Sequence, residues 1–125
     1  MVLINDISAV NICDKLIKDV LKICEADNSL KFFRKDFASR TIWLLILKAY
    51  FEKKEINIEM LSRAIAKTSI ISKPTLRLIL DNAMHKGYLK FVHSEKDRRS
   101  TNIELEDVTI KEFKEWCSEI KSIFK

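Results

Sequence analysis

The sequence predicts a mostly helical α+β fold, on three observations. Apolar residues recur at steps of three and four along most of the chain, the pattern of helices that each bury one stripe. Only two short runs alternate at period two, and they lie close together. The 125 residues include one Gly and one Pro, few places to break a helix, while 47% hydrophobic and 33% charged residues fit a packed globule rather than a disordered chain. A chain of this length is expected to form a single domain, residues 1–125, around one core.

From Asp6 to Glu25, residues Val10, Cys13, Ile17, Val20 and Cys24 follow one another at strict steps of three and four, flanked by Ile12, Leu16, Leu21 and Ile23. That stripe is wider than one partner needs. One side is expected to pack on its own domain and the other on a second subunit. Ala26-Asp27-Asn28-Ser29 ends the helix, and Leu30 to Lys35, basic with Phe32 and Phe33, reads as a connecting loop or a short turn. Asp36 caps a helix running to about Lys54, whose Ile42, Trp43, Leu44, Leu45, Ile46, Leu47, Tyr50 and Phe51 face nearly every direction, so it is central. Glu55-Ile56 is a short extended link. Asn57 caps the next helix, where Ile58, Leu61, Ala64 and Ile65 turn inward.

After the connection 66–71, a helix of roughly Ser72 to Lys86 places Leu76, Ile79, Leu80 and Ala83 on one face. Its cap is Ser72, or Lys73 if Pro74 pushes Lys73 out of helical geometry; Gly87 supplies the left-handed residue that ends it. The opposite face carries Pro74, Arg77, Leu78, Asp81 and His85, with Thr75 and Asn82 at its edge. Tyr88 to His93 and Ser100 to Leu105 alternate at period two around Ser94-Glu95-Lys96-Asp97-Arg98-Arg99, a hairpin with a charged tip. Asp107 to Phe124 then places Phe113, Trp116, Ile120 and Ile123 on one stripe, with Cys117 and Phe124 beside it.

Helix, connection, helix with a polar outer face, then a hairpin with arginines at its tip is the plan of a winged helix-turn-helix. It occupies residues 37–106, with 6–25 and 107–124 as N- and C-terminal dimerisation helices. Charge agrees with that plan. The net charge is +5, but residues 1–30 carry −2 and 107–125 balance, so the excess falls on 31–60 (+3) and 61–106 (+4). A localised basic surface of this kind suits nucleic acid.

The same residues resemble a known family. Leu61, the run Ser72-Lys73-Pro74-Thr75-Leu76, the exit Lys86-Gly87-Tyr88-Leu89 and above all Lys96-Asp97-Arg98-Arg99-Ser100 are similar to the signature of MarR-type transcription regulators, named for multiple antibiotic resistance. The resemblance spans about residues 37–110. It implies a sequence-specific regulator of double-stranded DNA acting as a homodimer, with the helix after the turn in the major groove and the wing in the minor groove. By this resemblance Asp97 steadies the wing loop and Arg99 enters the minor groove, where a guanidinium suits a narrow, negative channel. In the family the connection between the two helices is shorter by two or three residues, and a longer helical ending follows the wing. Dimerisation here therefore rests on residues 6–25 and 107–124, and a family-type effector pocket at that junction is disfavoured, although a small-molecule effector stays open.

The expected DNA-binding residues are accordingly Ser72, Lys73, Pro74, Thr75, Arg77 and Asn82 on the helix and Lys96, Asp97, Arg98 and Arg99 on the wing; Arg77 suits guanine O6 and N7. The expected dimer interface is Val10, Cys13, Ile17, Val20, Phe113, Trp116 and Ile120. The competing expectation is a winged-helix protein-interaction module without DNA readout, favoured by Leu78, by Asp81, which would repel phosphate, and by the long connection.

Other chemistries find little support. His85 and His93 share no metal-ligand spacing with each other or with a cysteine, and one glycine cannot make a phosphate-binding loop, so no metal, cofactor or enzymatic activity is expected. Cys13, Cys24 and Cys117 sit in apolar stripes and read as small buried hydrophobes in a reducing compartment; Cys13, beside Asp14, is a poor redox switch. The first residues carry no secretory pattern, and the longest apolar run, Ile42 to Leu47, is too short to span a bilayer. A cytoplasmic protein without membrane contact is expected.

Overall fold

Every helix but the last begins where a short polar side chain takes up an orphan backbone N–H. In the computed structural model, which describes residues 1–67, 71–95 and 100–124, these helices are α1 (Asp6–Glu25), α2 (Ser29–Arg34), α3 (Phe37–Phe51), α4 (Ile58–Ala66) and α5 (Lys73–His85). Asn5 accepts from Ser8 N at 2.8 Å, Asn28 from Lys31 N at 3.1 Å, Asp36 from Ser39 N at 2.7 Å, Asn57 from Met60 N at 2.9 Å and Ser72 from Thr75 N at 3.3 Å. Ser72, not Lys73, is thus the cap of α5, and Pro74 stands in its first turn, where no N–H is needed. Strands β1 (Leu89–His93) and β2 (Thr101–Leu105) follow, then α6 (Asp107–Ile123).

Two helices stop in the same way. At the end of α5, Gly87 takes a φ of 81° while Tyr88 N donates to Ala83 O at 2.9 Å and Gly87 N to Met84 O at 3.0 Å. At the end of α3, Lys53 takes a φ of 58°, and Lys54 N donates to Ala49 O at 2.9 Å and Lys53 N to Tyr50 O at 3.0 Å. The helix expected to reach Lys54 therefore closes at Phe51. A lysine does there what glycine does after α5, so composition gave no stop signal.

The strands pair antiparallel with Leu89 opposite Leu105, Phe91 opposite Ile103 and His93 opposite Thr101. The link before α4 also pairs with β2: Ile103 N donates to Ile56 O at 2.8 Å, and Asn57 bridges Asn102. The result is a helix, a connection, a second helix and a two-stranded antiparallel hairpin, consistent with a winged helix. One cluster of buried side chains runs through it, from Phe33, Ile42, Trp43, Ile46 and Leu47 to Leu61, Ile65, Leu76, Leu80, Leu89, Ile103 and Leu105.

The segment expected to be a loop or turn, Leu30 to Lys35, lies mostly within α2 and belongs to that core. Phe33 is fully buried, stacks on Trp43 with ring centres 6.1 Å apart, and meets Phe32 edge-on at 4.9 Å. Six residues are too few for a helical period to show in sequence. The start of α2 is held from far away: Glu112 of α6 accepts from both the Ser29 N–H at 3.1 Å and the Ser29 hydroxyl at 2.6 Å.

Helix α1 is attached along one side only. Ile12, Asp19 and Ile23 are half-buried, and Asp19 is the strut: it accepts from Trp116 Nε1 at 3.0 Å and pairs with Arg34 at 3.1 Å. The opposite side is bare. Among the described residues no helix is long and apolar enough to cross a membrane.

Candidate nucleic-acid interface

The helix spacing of α5 separates its two faces cleanly. Leu76, Leu80 and Ala83 are buried, whereas Pro74, Thr75, Arg77, Leu78, Asp81, Asn82 and His85 are all exposed. Of the expected contact residues, Ser72 is committed to the helix itself, its hydroxyl lying 3.0 Å from that of Thr75 as well as capping. Lys73 reaches back to α4, where its ammonium pairs with Glu59; this hydrogen bond and the nearby positive charge hold the Glu59 carboxyl below its ordinary pKa.

Arg77 is held from two sides. Its Nε lies 3.3 Å from an Asp81 carboxylate oxygen one turn on, and its guanidinium carbon sits 5.1 Å above the ring of Phe91 in β1. Asp81, expected to repel phosphate, is also a partner of the principal cation on this face. The i,i+4 spacing was visible in sequence; Phe91 was not, since it comes from the hairpin. Glu59 was missed because it comes from α4.

At the end of α5, Asn82, His85 and Lys86 join Lys31 and Phe32 of α2, its C-cap Lys35 and the single acidic residue Asp27 around a shallow concavity of about 360 Å³. Lys35 lies 4.1 Å over the Phe32 ring. The positive surface thus continues onto α2, a consequence of that segment being helical.

The expected wing residues Lys96, Asp97, Arg98 and Arg99 lie outside the described residues, as do 68–70 of the connection. The base of the hairpin is fixed: Ser94 N donates to Ser100 O at 3.0 Å, Ser94 Oγ to Glu55 at 3.2 Å, and Asn57 to Ser100 Oγ at 3.2 Å.

The expected dimer residues divide. Val10, Ile17 and Val20 are 59%, 56% and 52% exposed, and Cys13 and Cys24 share their side of α1 and are exposed too. Cys117 is half-buried, and burial pushes its thiol pKa up. The expectation of three buried cysteines is thereby corrected for this chain, because α1 docks by the Asp19 side and turns its cysteine seam outward. Phe113 and Trp116 are half-buried against Trp43, with ring centres 5.3 and 6.0 Å away, and Arg34 stacks on Trp116 at 4.5 Å. Ile120 is half-buried on the same helix. Among the described residues no group of three or more His, Cys, Asp or Glu is placed to hold a metal ion.

No protein-family model and no curated protein matches the chain. Among solved structures, it is similar to the heme sensor protein PefR from Streptococcus agalactiae, crystallised in complex with heme. The superposition has a TM-score of 0.55 at 14% identity and covers 97% of this chain and 77% of that one. The two share a fold. Nearly the whole of this chain lies within that likeness, so the N-terminal and C-terminal helices belong to it along with the helix-turn-helix and hairpin.

Proposed function

We propose that this chain is a transcriptional regulator that binds double-stranded DNA as a homodimer. The observation that carries the reading is α5: one face sealed into the core by Leu76, Leu80 and Ala83, the other presenting Lys73, Thr75, Arg77 and Asn82; the sequence that joins β1 to β2 contains Lys96, Asp97, Arg98 and Arg99. A helix so arranged fits the major groove, and the basic sequence between the two strands suits the minor groove. Lys31, Lys35 and Lys86 extend the positive surface toward flanking phosphates.

One subunit offers few phosphate contacts, and a two-fold dimer on two half-sites remedies that. The second subunit would cover Val10, Cys13, Ile17, Val20 and Cys24, an apolar seam that its own chain leaves bare. Phe113 and Trp116, packed on the core, support this interface from behind by fixing α6 and, through Asp19, α1.

Measuring affinity for a random duplex at two salt concentrations tests the reading. It expects binding that weakens by at least tenfold between about 50 and 200 mM salt, as release of several counterions requires. A second reading, a protein-interaction module, is favoured by Leu78, which stands 59% exposed in the middle of the face. Absence of duplex binding at low salt would decide for that module.

A further inference from the structure

Arg77, Asp81 and Phe91 form a three-part device on the outer face of α5, and it concerns how that face would discriminate among sequences. A free arginine side chain has many rotamers and can satisfy itself on any phosphate. Arg77 is restricted in two ways. Asp81 approaches on the Nε side, at 3.3 Å, and the guanidinium carbon sits 5.1 Å from the centre of the Phe91 ring. Arg77 is still 55% exposed, and because the ion pair is made at Nε it leaves the two Nη groups of the terminal edge for a partner. That edge is a planar pair of donors matched to guanine O6 and N7.

We infer that Asp81 and Phe91 are positioning residues that present the Nη edge of Arg77 to a guanine in the major groove, and that Asp81 is therefore a specificity determinant despite its negative charge. The inference rests on the DNA-binding reading and deepens it. Phe91 reaches this place because β1 pairs it with the buried Ile103, which fixes the strand against α5. The carboxylate of Asp81 lowers affinity for every duplex a little and in exchange removes the arginine's freedom to clamp a phosphate instead.

The test uses the full chain and two duplexes: the site selected by the wild-type protein from a random library, and the same duplex with the selected guanine–cytosine pair inverted. The wild-type protein should prefer the first by about tenfold, the scale of one bidentate contact. Asp81→Asn should cut that preference to about threefold or less, while binding to the inverted duplex stays equal or becomes tighter. Phe91→Leu should behave alike, and Phe91→Tyr, which keeps the ring, should restore discrimination; thermal melting of each variant separates positioning from unfolding. If Asp81→Asn strengthens both duplexes equally, the carboxylate only repels phosphate and the inference is overturned. If the wild-type protein binds no duplex at low salt, the DNA reading itself has failed, an outcome seen before any variant is made.

Discussion

The Asp19 carboxylate accepts the Trp116 indole N–H at 3.0 Å across 97 residues of sequence. Its other oxygen pairs with Arg34, which in turn stacks on the Trp116 ring at 4.5 Å. The three side chains close a loop joining α1, α2 and α6, and Asp19 and Arg34 are 8% and 17% exposed at the side chain. In so dry a site the charges depend on each other, so deleting one strands the others. Asp19→Ala should cost about 3 kcal/mol in chemical denaturation. A loss below about 0.5 kcal/mol would mean that α1 is held by its apolar side alone.

The two left-handed helix ends give opposite mutational signs. Gly87 has a φ of 81° with no atom within 4 Å of where a Cβ would stand, so Gly87→Ala meets only backbone strain and should destabilise by about 1–2 kcal/mol. Lys53 pays that same strain already at a φ of 58°. Lys53→Gly should therefore stabilise by about 1 kcal/mol, raising Tm by about 3–5 °C. A melt unchanged by Lys53→Gly would show that its side chain returns as much as its backbone loses.

What sequence reveals here divides by distance along the chain. The caps Asp36, Asn57 and Ser72 were legible because each acts on a backbone N–H three residues away. So were the buried face of α5 and the two strands of the hairpin, which follow from periods of 3.6 and two. Helix α2 was not, because its stability comes from Phe33 on Trp43 and from Glu112 at its first turn, contacts made across the fold. The site followed the same division. Arg77 and its exposed neighbours could be read from the helix wheel, whereas Phe91 beneath Arg77 and Glu59 beside Lys73 depend on how the hairpin and α4 are placed.

Glu59 offers a check by pH. Its carboxyl titrates below the ordinary value because Lys73 stabilises the ionised form, first by hydrogen bonding and then by charge. A depressed folded-state pKa means that the pair's stabilisation is present above the unfolded carboxyl's pKa and is lost as pH falls through the folded value. Both groups are solvent-exposed, so the effect on global stability should be small. The sharper measurement is NMR titration of Glu59: Lys73→Met should move its midpoint up toward that of an unpaired glutamate. An unmoved midpoint would mean the ion pair does not persist in solution.

The seam on α1 can be tested by assembly and by thiol chemistry together. Val10, Ile17 and Val20 are more than half exposed in the chain alone, so Ile17→Asp removes little packing from the single subunit and should fold with wild-type helicity. If the seam is the subunit interface, that variant should sediment as a monomer at concentrations where wild type is a dimer, since a carboxylate would be buried without a partner. Cys13 and Cys24 lie on the same seam and become reporters: slow to react with a thiol reagent in the wild-type dimer, fast in Ile17→Asp. Cys117 serves as the internal control. Burial within its own subunit raises its thiol pKa, so it should react slowly in both proteins and quickly only in denaturant. Fast labelling of Cys13 and Cys24 in a wild-type protein that sediments as a monomer would remove the dimer, and with it the argument that two half-sites are read together.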